Sequence, residues 1–410
     1  MTLASADLER LRLAAIERMD AVVDMTQRIC TIPAPTGSER ARAEFIAALL
    51  RERGYTPEID EISNVYTIRP GKQLPHPEQT QRPVLMLLAH MDTVFPPDTP
   101  IIIRREGDIL RGPGIGDNSI GIAAMITLLE TLDALHIETE TNIIAVANVG
   151  EEGLGNLRGA SKAIERYRNV LGAVIVVDGY LGSIIHGAVG SLRWKISVRG
   201  AGGHSFGSFG TPSAIHGLAK IIAAITHLHV DTGTGGGQIT TPHAPVSTQP
   251  SLRMRTTFNV GVIEGGTSVN TIAAHASALL DMRSTDATSL QELAEQVRKI
   301  VKHKAGPGLR TEIEVLGERP AGLRRLNDPL VVLSQQVLEW IGLEAKYVTG
   351  STDANIPISL DIPSVGIGIT YCEKAHTVNE YIAIKPIQKG LSQLFRLVIE
   401  ASALIVKEEF

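Results

Sequence analysis

Four short apolar runs constrain this chain more than any other feature. They are Val84–Ala89 (VLMLLA), Asn142–Val149 (NIIAVANV), Ala173–Val177 (AVIVV) and Ser364–Ile369 (SVGIGI). Each is rich in β-branched or bulky aliphatic residues and too short for a buried helix, so each reads as a strand covered on both faces. Stretches of helical spacing at 119–135, 158–168 and 327–341 separate several of them. Alternation of this kind predicts an α/β fold, a mostly parallel sheet with helices on both faces.

Other segments fit around that frame. Leu8, Leu11, Ala15, Met19, Val22 and Val23 recur at helical spacing and predict an amphipathic first helix. Pro33-Ala34-Pro35-Thr36-Gly37 reads as a turn, after which Ser38 is expected to cap a second helix that Gly54 ends. Residues 192–318 differ in pattern. A strand with alternating faces at Leu192–Val198 precedes a helix at 212–229, strands near 256–263 and 274–283, a helix at 286–304 and a strand at 311–317. That β-α-β-β-α-β order predicts a ferredoxin-like α+β sandwich inserted into the α/β domain. The expected division is therefore 1–191 with 319–410 for the first domain and 192–318 for the second. Two domains also suit 410 residues, more than one core usually holds. The Gly/Thr/Pro-rich stretch 231–250 is expected to be a long loop, mobile or at an interface.

Composition removes several functions. A net charge of −5 with no basic cluster argues against nucleic acid as a partner. No run of 18 uncharged apolar residues is present, so no membrane span is expected, and the charged first helix does not read as a signal peptide. Two cysteines far apart, Cys30 and Cys372, predict free thiols and a reducing, cytoplasmic compartment.

The chemistry lies where the strands end. In open α/β sheets, ligands bind at the carboxyl ends of strands. The first run leads into His90-Met91-Asp92, the second into Glu151-Glu152, the third into Asp178 and the fourth to His376, while RGPGIGDNS puts Asp117 at a helix start. Alone, an HxD or an EE pair reads as an ordinary surface loop, Asp178-Gly179 as turn chemistry and His376 as a loop histidine. Four strand ends delivering such residues together point to a metal pair. Two imidazoles and three carboxylates suit zinc, with cobalt or manganese as substitutes. One carboxylate must bridge cations about 3.5–4 Å apart in such sites, and Asp117 is the natural bridge because its Gly-rich approach lets the backbone turn tightly. One of the paired glutamates then binds metal while the other serves as general base. Asp92, two residues after His90, is within reach of its imidazole as a supporting partner. A dinucleotide site is a poor competitor: Gly153, Gly155 and Gly159 have the wrong spacing, and Glu151-Glu152 would repel a pyrophosphate.

The pieces HMDT (90–93), GPGIGDNS (112–119), NVGEEGLG (148–155), VVDG (176–179), GGHS (202–205), SVNTI (268–272), DMRS (281–284), GSTDAN (350–355) and AHTVNEYI (375–382) together resemble the co-catalytic zinc metallopeptidase family. That family includes peptidase T, carboxypeptidase G, the aminoacylases and succinyl-diaminopimelate desuccinylase. The resemblance implies a catalytic α/β domain with an inserted lid and dimerisation domain, two Zn²⁺ per subunit and a homodimer. It implies His90 and Asp178 on one zinc, Glu152 and His376 on the other, Asp117 bridging them through a loop with a cis Asp117–Asn118 peptide, Glu151 as general base and Asp92 supporting His90. His204 matches a histidine that steadies the oxyanion in the neighbouring subunit's site. Asn270 and Arg283 match groups that hold the substrate's carboxylate or backbone, and Gly350, Ser351 and Thr352 match the pocket lining.

For the substrate, the resemblance divides. Asp at position 178, within VVDG, is similar to peptidase T and implies an aminopeptidase of the tripeptidase or dipeptidase type. GSTDAN is closer to the carboxypeptidase G pattern and keeps an N-acyl-amino-acid hydrolase or glutamate-type carboxypeptidase as the alternative. A non-catalytic binding protein is a third reading, opposed by the presence of every ligand position and the base.

Overall fold

In a computed structural model, which describes residues 4–72, 83–231 and 255–407, the strand Val84–His90 pairs in parallel with Ile143–Asn148 on one side and Leu171–Val177 on the other. Ser364–Ile367 continues the sheet in parallel beyond Leu171–Val177. Val65–Arg69 joins antiparallel to Ile143–Asn148, and Ser183–Ala188 antiparallel to Ser364–Ile367. The four apolar runs are thus the sheet's centre, all pointing the same way, and their carboxyl ends share one edge.

Burial on both faces explains the unbroken apolar runs. Leu85, Leu87, Ile143, Ala145 and Ile175 pack with Leu11 and Val22 of the helix Ser5–Cys30, Ile122 and Ile126 of Ile120–Ala134, and Leu394 and Phe395 of Ile387–Val406. On the opposite face Met86, Leu88, Ile144 and Val174 pack with Ala160 and Ile164 of the helix Arg158–Tyr167. Each fully buried Leu or Ile contributes roughly 1.5–3 kcal/mol relative to exposure. A polar residue within these runs would have no solvated face to occupy.

The chain folds into two compact units, Met1–Ala188 with Leu323–Phe410, and Val189–Gly322. In the second, four antiparallel strands lie in the order Thr256–Gly265, His275–Ser284, Gly190–Arg199, Arg310–Arg319. That is the strand order of a ferredoxin-like sandwich. Leu192, Trp194, Ile196 and Val198 point to one face, where Leu218 and Ile221 of Ala214–Thr226 and Leu293 and Val297 of Ala287–Lys304 cover them. Arg193, Lys195 and Ser197 alternate with them and are half-buried. One covered face gives alternation, two covered faces give continuous runs.

One local expectation is corrected. Ser38 does not cap the second helix, Arg40–Glu52; the residue before the helix is Glu39, and no side chain caps it. The Ser38 N–H closes the preceding turn on the Pro35 carbonyl at 2.8 Å, which commits that residue to the turn. Gly54 ends the helix at φ +85°, a left-handed conformation that glycine adopts without penalty. Residues 232–250 of the expected loop lie outside the described residues. Both cysteines are free thiols. Among the described residues no helix is long and apolar enough to cross a membrane.

Candidate metal centre

Within the first unit, His90, Asp117 and Asp178 bring ligand atoms within 4.8 Å of one another, and so do Asp117, Glu152 and His376. Asp117 belongs to both groups. His90 Nε2 lies 2.9 Å from Asp117 Oδ1, and His376 Nε2 lies 3.1 Å from Asp117 Oδ2 and 3.1 Å from Glu152 Oε1. Separations of roughly 3 Å are what two ligands on one zinc-sized ion present, given metal–ligand distances near 2 Å.

Each candidate ligand has a local reason for its place. His90 is the last residue of its strand and 1% exposed. Asp178 follows its own strand directly, its N–H donating to the Ile367 carbonyl at 2.9 Å. The Asp117–Asn118 peptide is cis. The Asn118 side chain donates to the Val177 carbonyl at 2.8 Å, tying the Asp117 loop to the strand that delivers Asp178. Gly121 makes that approach possible, since a Cβ there would meet Asn118 Oδ1 at 2.3 Å and the Val177 carbonyl oxygen at 2.5 Å. His376 stands in a left-handed backbone conformation with φ +64° and a half-exposed side chain.

The electrostatics fit a cationic occupant. Burial, with the charge of Asp117 beside it, pushes Glu152 up to about 7. Burial likewise pushes Asp178 up to about 6, again with Asp117 adding to the rise. Burial opposes the charge on Asp117 too, yet bonds from His376 and His90 hold its carboxyl well below the usual range. His90 is raised above its ordinary value, because its bonds to Asp117 and Asp92 outweigh the desolvation that opposes its charge. Three crowded carboxylates with two imidazoles form a nitrogen and oxygen donor set suited to a borderline divalent pair.

Around the candidate ligands stand supporting groups. Asp92 is fully buried; its carboxylate accepts the N–H of Glu151 at 2.9 Å, the N–H of Glu152 at 2.9 Å and the Thr36 hydroxyl at 2.9 Å. The His90 Nδ1 lies 3.1 Å from the Asp92 carbonyl oxygen and 3.7 Å from its carboxylate. The closer contact is to the main chain, and it calls for a proton on Nδ1, leaving Nε2 to face Asp117. Glu151 is 6% exposed, and its carboxylate belongs to neither ligand group.

Gly350 ends a strand, and Thr352 and Asn355 tie the following loop through a Thr352 N–H to Asn355 Oδ1 bond of 3.0 Å. In that loop Asp353, fully buried, accepts from Asn148 Nδ2 at 2.7 Å. Gly350, Ser351 and Thr352 are thereby linked to the strand end that leads to Glu151 and Glu152. In the second unit, His204 is exposed, and its Nδ1 accepts N–H bonds from Phe206 at 3.3 Å and Gly207 at 3.2 Å. That leaves the proton on Nε2. Asn270 Oδ1 accepts from the Ser268 hydroxyl at 3.0 Å, and Arg283 Nε donates to Asp281 Oδ2 at 2.8 Å.

Sequence reading gave no role to Arg42 and Glu380. Arg42 is 1% exposed and donates to the carbonyls of Ile32 and Met91, each at 2.7 Å, which steadies the chain between His90 and Asp92. Glu380 is fully buried beneath the Asp117 loop. A signal for it existed: an acid four residues after His376 in a segment already marked by its motif.

Residues 86–400 match the family model described as Peptidase family M20/M25/M40. The chain belongs to this family. It is thereby a metallohydrolase of peptide or amide C–N bonds. The chain is 26% identical over 335 residues to the uncharacterized protein YqjE of Bacillus subtilis, covering 78% of this chain and 82% of that one. It is 24% identical over 403 residues to the succinyl-diaminopimelate desuccinylase of Nitrosococcus oceani, covering 93% and 99%. Its fold is similar to that of a tripeptidase from Staphylococcus aureus, with a TM-score of 0.75 at 21% identity over 94% of this chain and 99% of that one.

Proposed function

We propose that this M20 chain is a di-zinc aminopeptidase that cleaves short peptides, of the tripeptidase or dipeptidase type. The observation that carries the metal chemistry is Asp117 standing in two ligand groups at once, with His90 and Asp178 on one side and Glu152 and His376 on the other. The aspartate at position 178, within a segment similar to peptidase T, supports a substrate with a free amino end. The fold shared with a tripeptidase agrees with that reading.

His90 and Asp178 would hold one zinc and Glu152 and His376 the other, with Asp117 between. Bound zinc supplies a water of lowered pKa and a polarised scissile carbonyl. Glu151 takes the proton from the attacking water and returns it to the leaving amine. Its N–H bond to Asp92 fixes the backbone from which it acts. His204 carries its donor on Nε2 and would steady the oxyanion in the neighbouring subunit's site of a homodimer. Asn270 and Arg283 would hold the substrate's backbone and carboxylate, the latter by charge-assisted bonds, and Gly350, Ser351 and Thr352 would line the pocket.

A second reading, an N-acyl-amino-acid hydrolase, is favoured by GSTDAN and by the desuccinylase relative. The experiment offers purified protein free-amine tripeptides, dipeptides and N-acyl amino acids. Each is run with chelator and with zinc, cobalt or manganese restored. Cleavage of free-amine peptides alone supports the first reading, and cleavage of N-acyl substrates alone replaces it with the second. Turnover unaffected by thorough metal removal overturns both.

A further inference from the structure

Glu380 has no part in the chemistry proposed above, yet its carboxylate is fully buried and heavily engaged. Oε1 accepts the N–H of Gly116 at 2.6 Å and of Asp117 at 2.9 Å, and Oε2 accepts the N–H of Gly114 at 3.0 Å. The Glu380 carbonyl accepts the Gly112 N–H at 2.9 Å, so one residue grips the loop at four points. Backbone N–H groups converging on one carboxyl group form a nest that fixes the turn they belong to.

The packing leaves the loop little room. A Cβ on Gly116 would meet Cys372 Sγ at 2.5 Å and Ile382 Cγ2 at 2.8 Å, so the loop lies directly on the segment that carries Glu380. That segment also carries His376, and the Glu380 N–H bonds to the Thr377 carbonyl at 3.0 Å, which holds the two residues in register. Asp117 is therefore fastened twice by one short stretch of chain. His376 meets its side chain at 3.1 Å, and Glu380 meets its N–H.

We propose that Glu380 is a positioning residue for Asp117, clamping the loop Gly114–Asp117 so that one carboxylate can serve both metal positions. The proposal rests on the reading of Asp117 as the shared ligand. Its consequence is specific. Loss of a ligand such as Asp178 weakens one position first, whereas loss of the clamp moves Asp117 and weakens both together. A glutamine at position 380 keeps the shape but turns a donor toward at least one of the three N–H groups. An aspartate keeps the two carboxyl oxygens and withdraws them by one methylene.

The test uses the full chain with Glu380→Gln and Glu380→Asp. Each is stripped of metal and titrated with Zn²⁺ against a chromophoric chelator and with Co²⁺ by visible absorption. Glu380→Gln is expected to lose roughly 10–100-fold in affinity at both equivalents together, the range seen for partners of metal ligands. Its Co²⁺ spectrum should change, and kcat should fall while KM moves little. Glu380→Asp should recover part of the loss. Wild-type affinity at both equivalents in Glu380→Gln, or weakening of only one, overturns the proposal. Asp117→Asn that keeps both equivalents at full affinity overturns the shared-ligand reading instead, whatever Glu380 does. If neither Glu380 variant folds, amide hydrogen exchange on the wild-type chain decides. The Gly114, Gly116 and Asp117 amides should be strongly protected, and exchange at the rate of an open loop rejects the clamp.

Discussion

The Asp92 carboxylate accepts the backbone N–H of Glu151 at 2.9 Å, with the Glu152 N–H on its other oxygen at the same distance. One buried acid thus fixes the main chain under both the proposed base and a proposed ligand. Burial works against its charge, but the neighbouring His90 and these two N–H groups outweigh it and hold its pKa down at about 2. Asp92→Ala would strand two buried N–H groups, at about 1–3 kcal/mol each. Thermal melting should fall, and kcat should drop on the order of 10–100-fold. Unchanged melting and turnover would show that Asp92 organises nothing.

Glu151 stands beside the ligand groups without belonging to either. Glu151→Gln keeps the size and removes the base. It should retain two metal equivalents by elemental analysis while kcat falls roughly 10²–10⁴-fold, the usual worth of general acid–base catalysis. Near-wild-type turnover in that variant would move the base elsewhere.

The metal-free chain should lose stability as pH rises. Glu152 is raised from 4.5 to about 7 and Asp178 from 3.8 to about 6, both first by burial. A raised carboxyl favours its protonated form in the fold, so its contribution is complete below the unfolded pKa and gone once pH passes the folded one. His376, raised to about 9 chiefly by its bond to Asp117, acts in the same sense, complete below 6.5 and lost as pH rises through 9. Urea melts in chelator should therefore weaken between pH 4 and pH 9, by about 3 kcal/mol for each carboxyl. Added zinc should reverse the trend, since metal binds the deprotonated ligands. A metal-free chain equally stable at pH 5 and pH 9 would contradict the burial of these carboxyls beside Asp117.

The sheet's centre was legible because burial on both faces leaves an unbroken apolar run, as in Val84–His90. The inserted unit was legible because burial on one face leaves alternation, as in Gly190–Arg199. The strand Ser183–Ala188 was not read, because SIIHGA contains a histidine, His186, whose ring nitrogen meets the Arg324 carbonyl at 2.9 Å. In sequence that histidine breaks the run; in the fold it is satisfied. The candidate ligands stood out because four of them come after apolar strands and the fifth, Asp117, ends a Gly-rich run. Arg42 and Glu380 did not, because what they hold is backbone. A carboxylate clamping three N–H groups leaves no mark on the residues it clamps beyond their glycines. Ser38 misled for a related reason: a serine before a helix and a serine closing a turn look alike until the hydrogen bonds are known.

Cys30 supplies a separate test beside Pro113, the residue before the loop Gly114–Asp117. Its thiol is fully buried and donates to the Pro113 carbonyl at 3.2 Å. Burial pushes its pKa from 9.0 up to about 11, against the opposing pull of Arg42 and Ser119. The unfolded chain can release this proton from about pH 9 and the folded chain only near 11. The thiol's contribution is thus intact below 9 and lost as pH rises to 11, worth about 3 kcal/mol across the interval. Cys30→Ala should be less stable at neutral pH, because it leaves a small cavity, but its stability should decline less steeply between pH 9 and pH 11. The comparison of slopes in urea melts cancels Cys372 and the tyrosines, which titrate in both proteins, and reads Cys30 together with its neighbour Arg42, which burial lowers to about 10. Parallel slopes would mean that the thiolate is tolerated where it sits, and that the space beneath Pro113 is wetter than its burial implies.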